Sequence, residues 1–459
     1  MKKALLIIGI LIPAVLISIF TIDKGHDWGG DFALYISQAK AILSGTTQHL
    51  FLENSYSMDN SAWVFGPDLY PPGYPLILCL IIPFTGVNFM AFKIINILFY
   101  LAFLIFFYET LHTKTNALFS SYFTLALSLC YPIIYYTDMV LSDIPFLFFC
   151  YLFLHLASSE KQSTLNIILA GIILGFSSLI RSAGYSLFIA YALYLFLIFI
   201  QFIYKKRDFK FFLQKVSVLL MAGLVFLPGV LIYPTGSYAQ DFHIGIQTIT
   251  ENLIYYHHQL LKFTYWEPLS FLFIAIFLLG LIKHFKRSPL ISLWVISYLS
   301  ILFFYPNFET ETRILMPLFP AMIFYIAIAV FEIKKLIIKR IGIVLFAAFI
   351  IFSGINNFHD AYKDYKAKST DEICNSMSKD VFDFVKNNTP ENAIIAFFKP
   401  RVLRLMTGRN AIALFEIKEI LNSKADYYID ASWAGNTINH EKFTLIYQTD
   451  RARIYKILR

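Results

Sequence analysis

Charged side chains are scarce in this sequence, and the motifs of several common enzyme classes do not occur. Only 15% of the 459 residues are charged, whereas soluble domains usually contain ~25%. No glycine-rich phosphate loop, Ser/His nucleophile pattern or HExxH pair occurs, which argues against P-loop enzymes, serine hydrolases and zinc peptidases. The four cysteines have neither the spacing of a disulfide framework nor that of zinc ligands. Internal repeats and low-complexity tracts are also lacking.

Apolar and aromatic residues are abundant instead. Hydrophobic residues make up 58% of the chain, with 48 Phe and 29 Tyr, and the mean hydropathy is +0.63. This excess suits broad contact with lipid. The net charge of +8 comes from short Lys and Arg clusters between apolar runs, as in cytoplasmic loops beside anionic lipid. We therefore expect a polytopic α-helical membrane protein that contacts membrane lipids and has no nucleic-acid partner.

Eleven apolar runs are predicted to be transmembrane helices. The first follows Lys2 and Lys3; it has ~19 residues, enough to span, and no small-residue cleavage site follows it, so it is read as a retained helix and not a signal peptide. The eleven runs are residues 4–22, 88–107, 117–136, 139–156, 165–180, 185–204, 216–233, 269–282, 290–305, 314–331 and 336–352.

A shorter apolar run at residues 76–85 decides the topology. It has only about ten residues and follows a proline-rich bend at residues 71–75, so it suits an interfacial segment better than a span. If it does not cross, the Lys and Arg clusters between the spans all lie inside, as the positive-inside rule prefers. The N-terminus then lies in the cytoplasm, and the chain after residue 354 lies outside.

The two parts of the chain differ in composition. Residues 1–354 form the predicted transmembrane domain, with interfacial helices in the first outer loop. Residues 355–459 have soluble composition and are predicted to form a small α/β domain outside the membrane. Its predicted helices are residues 371–388 and 400–407, the second ended by Gly408, and its predicted strands are residues 393–398, 425–430, 443–448 and 453–458.

The first outer loop offers a candidate base. Asp31, Tyr35 and Gln38 share one face of a predicted interfacial helix, a few residues after Asp27. A partly desolvated carboxyl at the membrane surface can have a raised pKa and act as a base. The alternative is that Asp31 only caps the helix.

Three further outer residues are unusual for their positions. Asp143 enters an apolar helix, and Arg181 and Arg313 lie outside, against the charge bias. Either arginine can offer its guanidinium to a phosphate. The alternatives are a helix cap for Asp143, a structural pair of Arg181 with Asp143 or Asp138, and snorkelling of Arg313 to the interface.

Histidines in the long outer loop at residues 234–268 raise the question of a metal. His243 and His257 are weak candidates for binding a divalent ion. His257 and its neighbour His258 cannot easily point the same way on a helix, which weighs against a site here. No cofactor is predicted beyond this possible divalent metal.

In this order, the segments resemble the GT-C superfamily of membrane glycosyltransferases, whose members include protein O-mannosyltransferases and lipid A aminoarabinose transferases. The resemblance covers nearly the whole chain. The family pattern carries Asp-Glu at the first site, whereas this chain has Asp31-Phe32, so Asp27 stays open as the base. The matching features are Asp31 with Tyr35 and Ala39, Pro71-Pro72-Gly73-Tyr74, Asp143-Ile144-Pro145, Arg181, and Arg313 with Pro317.

The resemblance implies a function and a place for it. Such enzymes act at the outer face of the membrane, here a bacterial inner membrane, on a monosaccharide linked to polyprenyl phosphate. Asp31 would deprotonate the hydroxyl of a glycan, lipid or protein acceptor, which attacks with inversion. Arg313 and Arg181 would stabilise the leaving phosphate. The implied substrate-binding residues are Asp27, Tyr35, Tyr74, Asp138, Asp143, Arg181, Glu311 and Arg313.

Three other functions were weighed. A polymerase or ligase of polyprenyl-linked glycans would rely on arginines in the long outer loop, yet residues 234–268 contain no Arg. A transporter would show inverted repeats and broken helices near mid-membrane, which the sequence does not. A structural or sensory protein would leave the outward Asp and Arg residues unexplained.

Overall fold

In the computed structural model the chain begins with one long apolar helix followed by a group of short ones. The structure describes residues 2–158, 163–205, 208–233, 245–305, 311–367, 373–431, 438 and 440–459. The first five helices are α1 Lys2–Thr21, α2 Asp31–Ser44, α3 Thr47–Asp59, α4 Gly73–Cys79 and α5 Ile82–Thr85.

The middle of the chain is almost entirely helical. Short 3-10 helices at Tyr135–Asp138, Ser182–Gly184 and Glu311–Arg313 join some of the longer elements. The helices are α6 Phe89–His112, α7 Ala117–Ser128, α8 Tyr131–Ile134, α9 Asp143–Ala157, α10 Thr164–Ile180, α11 Tyr185–Ile203, α12 Phe209–Ile232, α13 Ile246–Thr264, α14 Glu267–His284, α15 Pro289–Phe304, α16 Leu318–Phe331 and α17 Leu336–Ala367.

Each of the eleven predicted spans coincides with a helical segment. Among the described residues, six helices are long and apolar enough to cross a membrane. A seventh results if Ala117–Ser128 and Tyr131–Asp138 are one span with a 61° bend. The other four, α9, α10, α15 and α16, have 14 to 17 residues, slightly short for a ~30 Å hydrocarbon core. A mostly helical membrane protein is confirmed, and the count of eleven crossings stays a prediction.

The proline-rich bend leads into two helices too short to span. α4 has seven residues and α5 has four, whereas a spanning helix needs ~20. α4 is held tightly against the end of α10, since a Cβ atom at Gly73 would lie 2.6 Å from the backbone nitrogen of Ile180. Only glycine fits this approach, which brings the bend beside the residue that follows α10, Arg181.

The C-terminal part forms a small α/β unit. Its sheet has the order β2-β1-β3-β5-β4, with β1 parallel to β2 and β3, and β5 antiparallel to β3 and β4. α17 continues through residue 354 to Ala367, so the predicted domain boundary falls within a helix. The elements are α18 Ser376–Asn388, β1 Ile394–Ala396, α19 Pro400–Thr407, β2 Asn410–Ile412, α20 Ile417–Asn422, β3 Tyr427–Asp430, β4 Phe443–Gln448 and β5 Arg453–Ile457.

This α/β unit packs directly on the segment between α1 and α6, which was predicted to be the first outer loop. The hydroxyl of Ser57 donates to the carbonyl of Ala411, and the amide of Ala62 donates to the carbonyl of Ala413 at 2.9 Å. The buried guanidinium of Arg404 donates to the side chain of Asn54. Because hydrogen bonds are directional, these contacts fix how the unit is positioned on the segment and do not merely hold it nearby.

Candidate functional site

Arg313 lies at the centre of a group of charged side chains. Its Nη1 donates to Asp31 Oδ2 at 2.9 Å, and its Nη2 donates to Asp143 Oδ2 at 3.2 Å. Its Nε lies 3.3 Å from both oxygens of Asp143. One planar guanidinium therefore joins two carboxylates that come from α2 and α9, with the geometry that only arginine offers.

Asp143 is the buried member of this group. Its side chain is only 2% exposed, and its Oδ1 also accepts a hydrogen bond from Nη1 of Arg181. A buried carboxylate between two guanidiniums is well compensated, whereas removing one partner would leave a charge out of water. The structural pairing of Arg181 with Asp143, weighed above as an alternative, is therefore present.

Asp31 is held from its other side by a tyrosine. The hydroxyl of Tyr70 donates to Asp31 Oδ1 at 2.7 Å. The backbone of Tyr70 is in turn fixed by Gln38, whose amide donates to its carbonyl at 2.7 Å and accepts from its N–H at 3.0 Å. Asp31 opens α2 without making a side-chain cap bond to the helix itself. Its carboxylate is committed to Tyr70 and Arg313 instead.

The pKa of Asp31 is lowered, which corrects the expectation of a raised pKa. Partial burial alone would raise the pKa, but the charge of Arg313 and the hydrogen bonds from Tyr70 and Arg313 outweigh it. The positive charge of Arg401 adds to the effect. Because opposite charges favour the ionised form, Asp31 is a carboxylate at neutral pH in this structure.

Two aromatic residues that were predicted to bind substrate, Tyr35 and Tyr74, line the same site. The ring of Tyr35 stacks on that of Tyr70 with centroids 4.6 Å apart and meets Tyr74 edge-on at 5.1 Å. The hydroxyl of Tyr35 is 2.8 Å from Ser142 Oγ, next to Asp143. Both predicted tyrosines are buried, so they shape the wall of the site.

Asp138 and Asp27 make separate groups. Asp138 pairs with the buried Lys93 at 2.9 Å, and Lys93 also pairs with Asp23 at 2.7 Å. Asp27 lies 2.8 Å from the ring nitrogen of His26, with half of its side chain exposed. Although partial burial would raise the pKa of Asp27, its contacts with His26 outweigh that effect and lower it. Asp138 also accepts from the amide of Asp23 at 3.1 Å, and Asp27 accepts from the amide of Gly29 at 3.0 Å.

The remaining predicted residues are only partly described. Glu311 lies in the 3-10 helix that ends at Arg313, and His243 lies outside the described residues. His257 Nε2 is 2.8 Å from Ser270 Oγ, and its ring stacks on Phe271. Within the described ranges no three His, Cys, Asp or Glu residues group as metal ligands. The carboxylates of Asp31 and Asp143 are paired with arginines, which does not favour metal binding at these two residues.

Sequence reasoning missed three residues with clear structural roles. Lys93 carried a usable signal, because a lysine inside an apolar helix needs a carboxylate partner. Tyr70 comes directly before the proline-rich bend and was given no role of its own. Arg401 was placed in the soluble tail, and its 4% exposure and its position beside Tyr70 appear only in the folded chain.

A cavity of about 610 Å³ has Thr312, the residue before Arg313, in its wall. Its walls combine aromatic rings with carboxylates and ammonium groups. Two of the hydroxyls are already oriented, since Tyr131 donates to Asp364 at 2.7 Å and Tyr265 donates to Asp360 at 2.8 Å. The lining residues are Tyr131, Pro132, Tyr135, Tyr136, Leu261, Lys262, Tyr265, Glu267, Thr312, Asp360, Lys363 and Asp364.

The fold is shared with solved membrane glycosyltransferases. No protein-family model matches the sequence, and no curated protein matches it. The structure is similar to ArnT from Cupriavidus metallidurans bound to undecaprenyl phosphate, with a TM-score of 0.60, 10% identity, and coverage of 98% of this chain and 97% of that chain. It is also similar to the Archaeoglobus fulgidus oligosaccharyltransferase, with a TM-score of 0.60, 13% identity, and coverage of 93% and 69%. Both are GT-C proteins, so this chain has the GT-C fold.

Proposed function

We propose that this chain is an inverting glycosyltransferase with Asp31 as its general base. It would transfer a monosaccharide from a polyprenyl-phosphate carrier to an acceptor hydroxyl at the outer face of the membrane. The observation that carries the proposal is the carboxylate of Asp31, which is positioned by Tyr70 and Arg313. The fold supports it, because similar structures hold undecaprenyl phosphate and a dolichol-phosphate.

The geometry suits proton transfer from an acceptor. Each oxygen of Asp31 accepts one hydrogen bond, so each keeps a second lone pair for an incoming hydroxyl. The acceptor oxygen would attack the anomeric carbon as its proton passes to Asp31. The negative phosphate of the donor would offset the nearby guanidiniums and raise the pKa of Asp31 toward the range where a base works best.

Arg313 and Arg181 would act together with Asp143 on the donor side. Asp143 holds both guanidiniums, which fixes their direction before the substrate arrives. Donors already in place stabilise a developing charge without reorganising during the reaction. Tyr35 and Tyr74 would pack against the donor sugar as the wall behind Asp31. Asp27, Asp138 and Glu311 would support the loops around this site.

The cavity that Thr312 lines would receive the acceptor. Tyrosine rings with nearby carboxylates suit a hydroxyl-rich ligand, because rings pack on the apolar faces of a sugar and carboxylates accept from its hydroxyls. Asp360 and Asp364 already accept from tyrosine hydroxyls, which orients their remaining lone pairs. A glycan or a glycolipid is thus the favoured acceptor class.

The shared fold also supports a second candidate function. The Archaeoglobus fulgidus oligosaccharyltransferase has been solved with a tethered acceptor peptide, and this chain covers 69% of its length. Transfer of a preassembled oligosaccharide to protein would use the same outer face. The near-complete overlap with ArnT, 97% of that chain, favours the monosaccharide transferase.

The test is a comparison of two aspartate variants. Asp31→Asn should reduce transfer from a labelled polyprenyl-phosphate sugar by about 10²- to 10⁴-fold, the usual contribution of a general base. Asp27→Asn removes a half-exposed carboxylate from the same loop and should keep most of the activity. Mass spectrometry of envelope glycans and lipids, with and without the protein, identifies the product. Full transfer by correctly inserted Asp31→Asn would disprove the proposed base.

A further inference from the structure

Arg401 is a buried cation that the α/β unit places at the edge of the site. It lies in the first turn of α19, just beyond the carboxyl end of β1, and is 4% exposed. Its Nη2 donates to the carbonyl of Pro67. Its guanidinium lies 5.1 Å from the ring centroid of Phe65 and 5.8 Å from that of Tyr70. The first outer loop therefore encloses Arg401 without neutralising it.

Two of the donor atoms of Arg401 are unused. Among the described residues, its Nε and Nη1 have no hydrogen-bond partner although both are buried. By contrast, another arginine of the same unit, Arg409, donates hydrogen bonds to Thr389, Thr407 and Lys386. Leaving a buried charged donor unpaired is costly, because the group has lost its contact with water and gained no partner. Such a group is expected where a ligand completes the bonding.

The unused Nη1 lies close to the tyrosine that holds the proposed base. A Cβ atom at Gly66 would lie 3.2 Å from Arg401 Nη1 and 3.3 Å from the hydroxyl of Tyr70. Gly66 has a φ of +106°, which disfavours any larger residue here. The same hydroxyl of Tyr70 donates to Asp31. A side chain at position 66 would therefore press on both Arg401 and Tyr70, so glycine lets the guanidinium lie beside the Tyr70–Asp31 pair.

The charges in this region do not balance. Asp31 and Asp143 match Arg181 and Arg313, so Arg401 adds one uncompensated positive charge. A sugar linked to a lipid phosphate is a phosphodiester with a single negative charge. A ligand of that charge would neutralise the site and satisfy the free donors.

We propose that Arg401 binds the phosphate of the lipid-linked donor. This inference rests on the proposed function and adds a third phosphate-binding arginine to Arg313 and Arg181. When the acceptor oxygen bonds to the anomeric carbon, the bond from that carbon to the phosphate oxygen breaks. The electron pair stays on the phosphate, which becomes doubly negative, while the acceptor proton passes to Asp31. Arg401 stabilises this second charge by charge-assisted hydrogen bonds.

The test measures binding of undecaprenyl phosphate to the full chain in detergent. Arg401→Gln should bind it about 10- to 100-fold more weakly, as expected for the loss of one charge-assisted hydrogen bond. Lys418→Gln removes the same charge from an exposed position of the same unit and should bind like wild type. Arg401→Lys keeps the charge and should fall between them, which keeps the test decisive if Arg401→Gln does not fold.

The outcomes separate the inference from the function. Equal binding by wild type, Arg401→Gln and Arg401→Lys overturns the inference alone. A wild-type chain that binds no undecaprenyl phosphate overturns the proposed function with it. Inorganic phosphate should compete in wild type and lose that effect in Arg401→Gln. Phosphatidylglycerol should not compete; full displacement by it would mean that Arg401 binds phospholipid headgroups, against the inference.

Discussion

At the residue scale, one guanidinium explains why distant carboxylates meet. Arg313 bonds to Asp31, which opens an interfacial helix, and to Asp143, which enters an apolar one. Sequence reasoning selected all three residues because charges at the membrane surface are rare and need partners. It did not find the role of Tyr70, since the hydrogen bond to Asp31 joins residues 39 apart in sequence. Nor did it predict the lowered pKa of Asp31, which depends on the distance between this carboxylate and the guanidinium of Arg313.

The pH dependence tests the bond between Tyr70 and Asp31. A lowered pKa keeps Asp31 ionised until the pH falls below the usual carboxyl range, so wild-type kcat/KM should hold on the acid side until that point. Tyr70→Phe removes a hydrogen bond that favours the ionised form. The pKa of Asp31 must then rise in this variant, and the acid limb of its kcat/KM profile should move to higher pH.

The profile of kcat/KM is the right measurement because it reports groups of the free enzyme. Tyr74→Phe is the matched control, since the Tyr74 hydroxyl faces Asn96 and not Asp31. Its acid limb should stay with that of wild type. An acid limb unmoved in Tyr70→Phe would show that this hydrogen bond does not control Asp31.

At the element scale, the length of a helix or strand largely decides whether the sequence predicts it. Long apolar runs and the pattern of the α/β tail identified α18, α19, β1, β3, β4 and β5, with α19 and β4 at their predicted bounds. β2 and α20 were missed, because three and six residues carry too little periodicity. The non-crossing nature of residues 76–85 was predicted from length and proline positions. Its close packing on α10 through Gly73 depends on tertiary contact.

A buried ion pair ties α6 to the 3-10 helix at Tyr135–Asp138. Lys93 is fully buried and bonds to both Asp138 and Asp23. Lys93→Ala should destabilise the protein by ~3–5 kcal/mol, because it leaves buried carboxylates without their cation. The expected readout is a clear drop in thermal stability in detergent, measured by size-exclusion chromatography.

The companion variant separates charge from packing. In Lys93→Ala/Asp138→Asn one of the stranded charges is also removed, so part of the lost stability should return. Lys40→Ala on the exposed face of α2 controls for loss of a lysine and should stay within ~0.5 kcal/mol of wild type. Lys93→Ala as stable as Lys40→Ala would contradict the proposed role of the pair.

At the scale of the whole molecule, the site needs two parts of the chain to meet. The first outer loop supplies Asp31 and Tyr70, and the α/β unit reaches the same loop through Arg401 and Arg404. Sequence patterns predicted both parts and placed them on one side of the membrane. They could not predict the docking, because it depends on contacts such as the one from Ser57 to Ala411, 354 residues away.

The prediction that the first outer loop and the α/β unit lie on the same side of the membrane can be tested, and the proposed site depends on it. If residues 76–85 do not cross, the α/β unit lies outside and the basic turn between α14 and α15 lies inside. With the four native cysteines replaced by serine, Lys418→Cys should react with a membrane-impermeant maleimide in intact cells. Lys286→Cys, equally exposed in the structure, should react only after the membrane is opened. Labelling of Lys286→Cys in intact cells would invert the topology, and the outer donor and acceptor proposed for Asp31 would both fail with it.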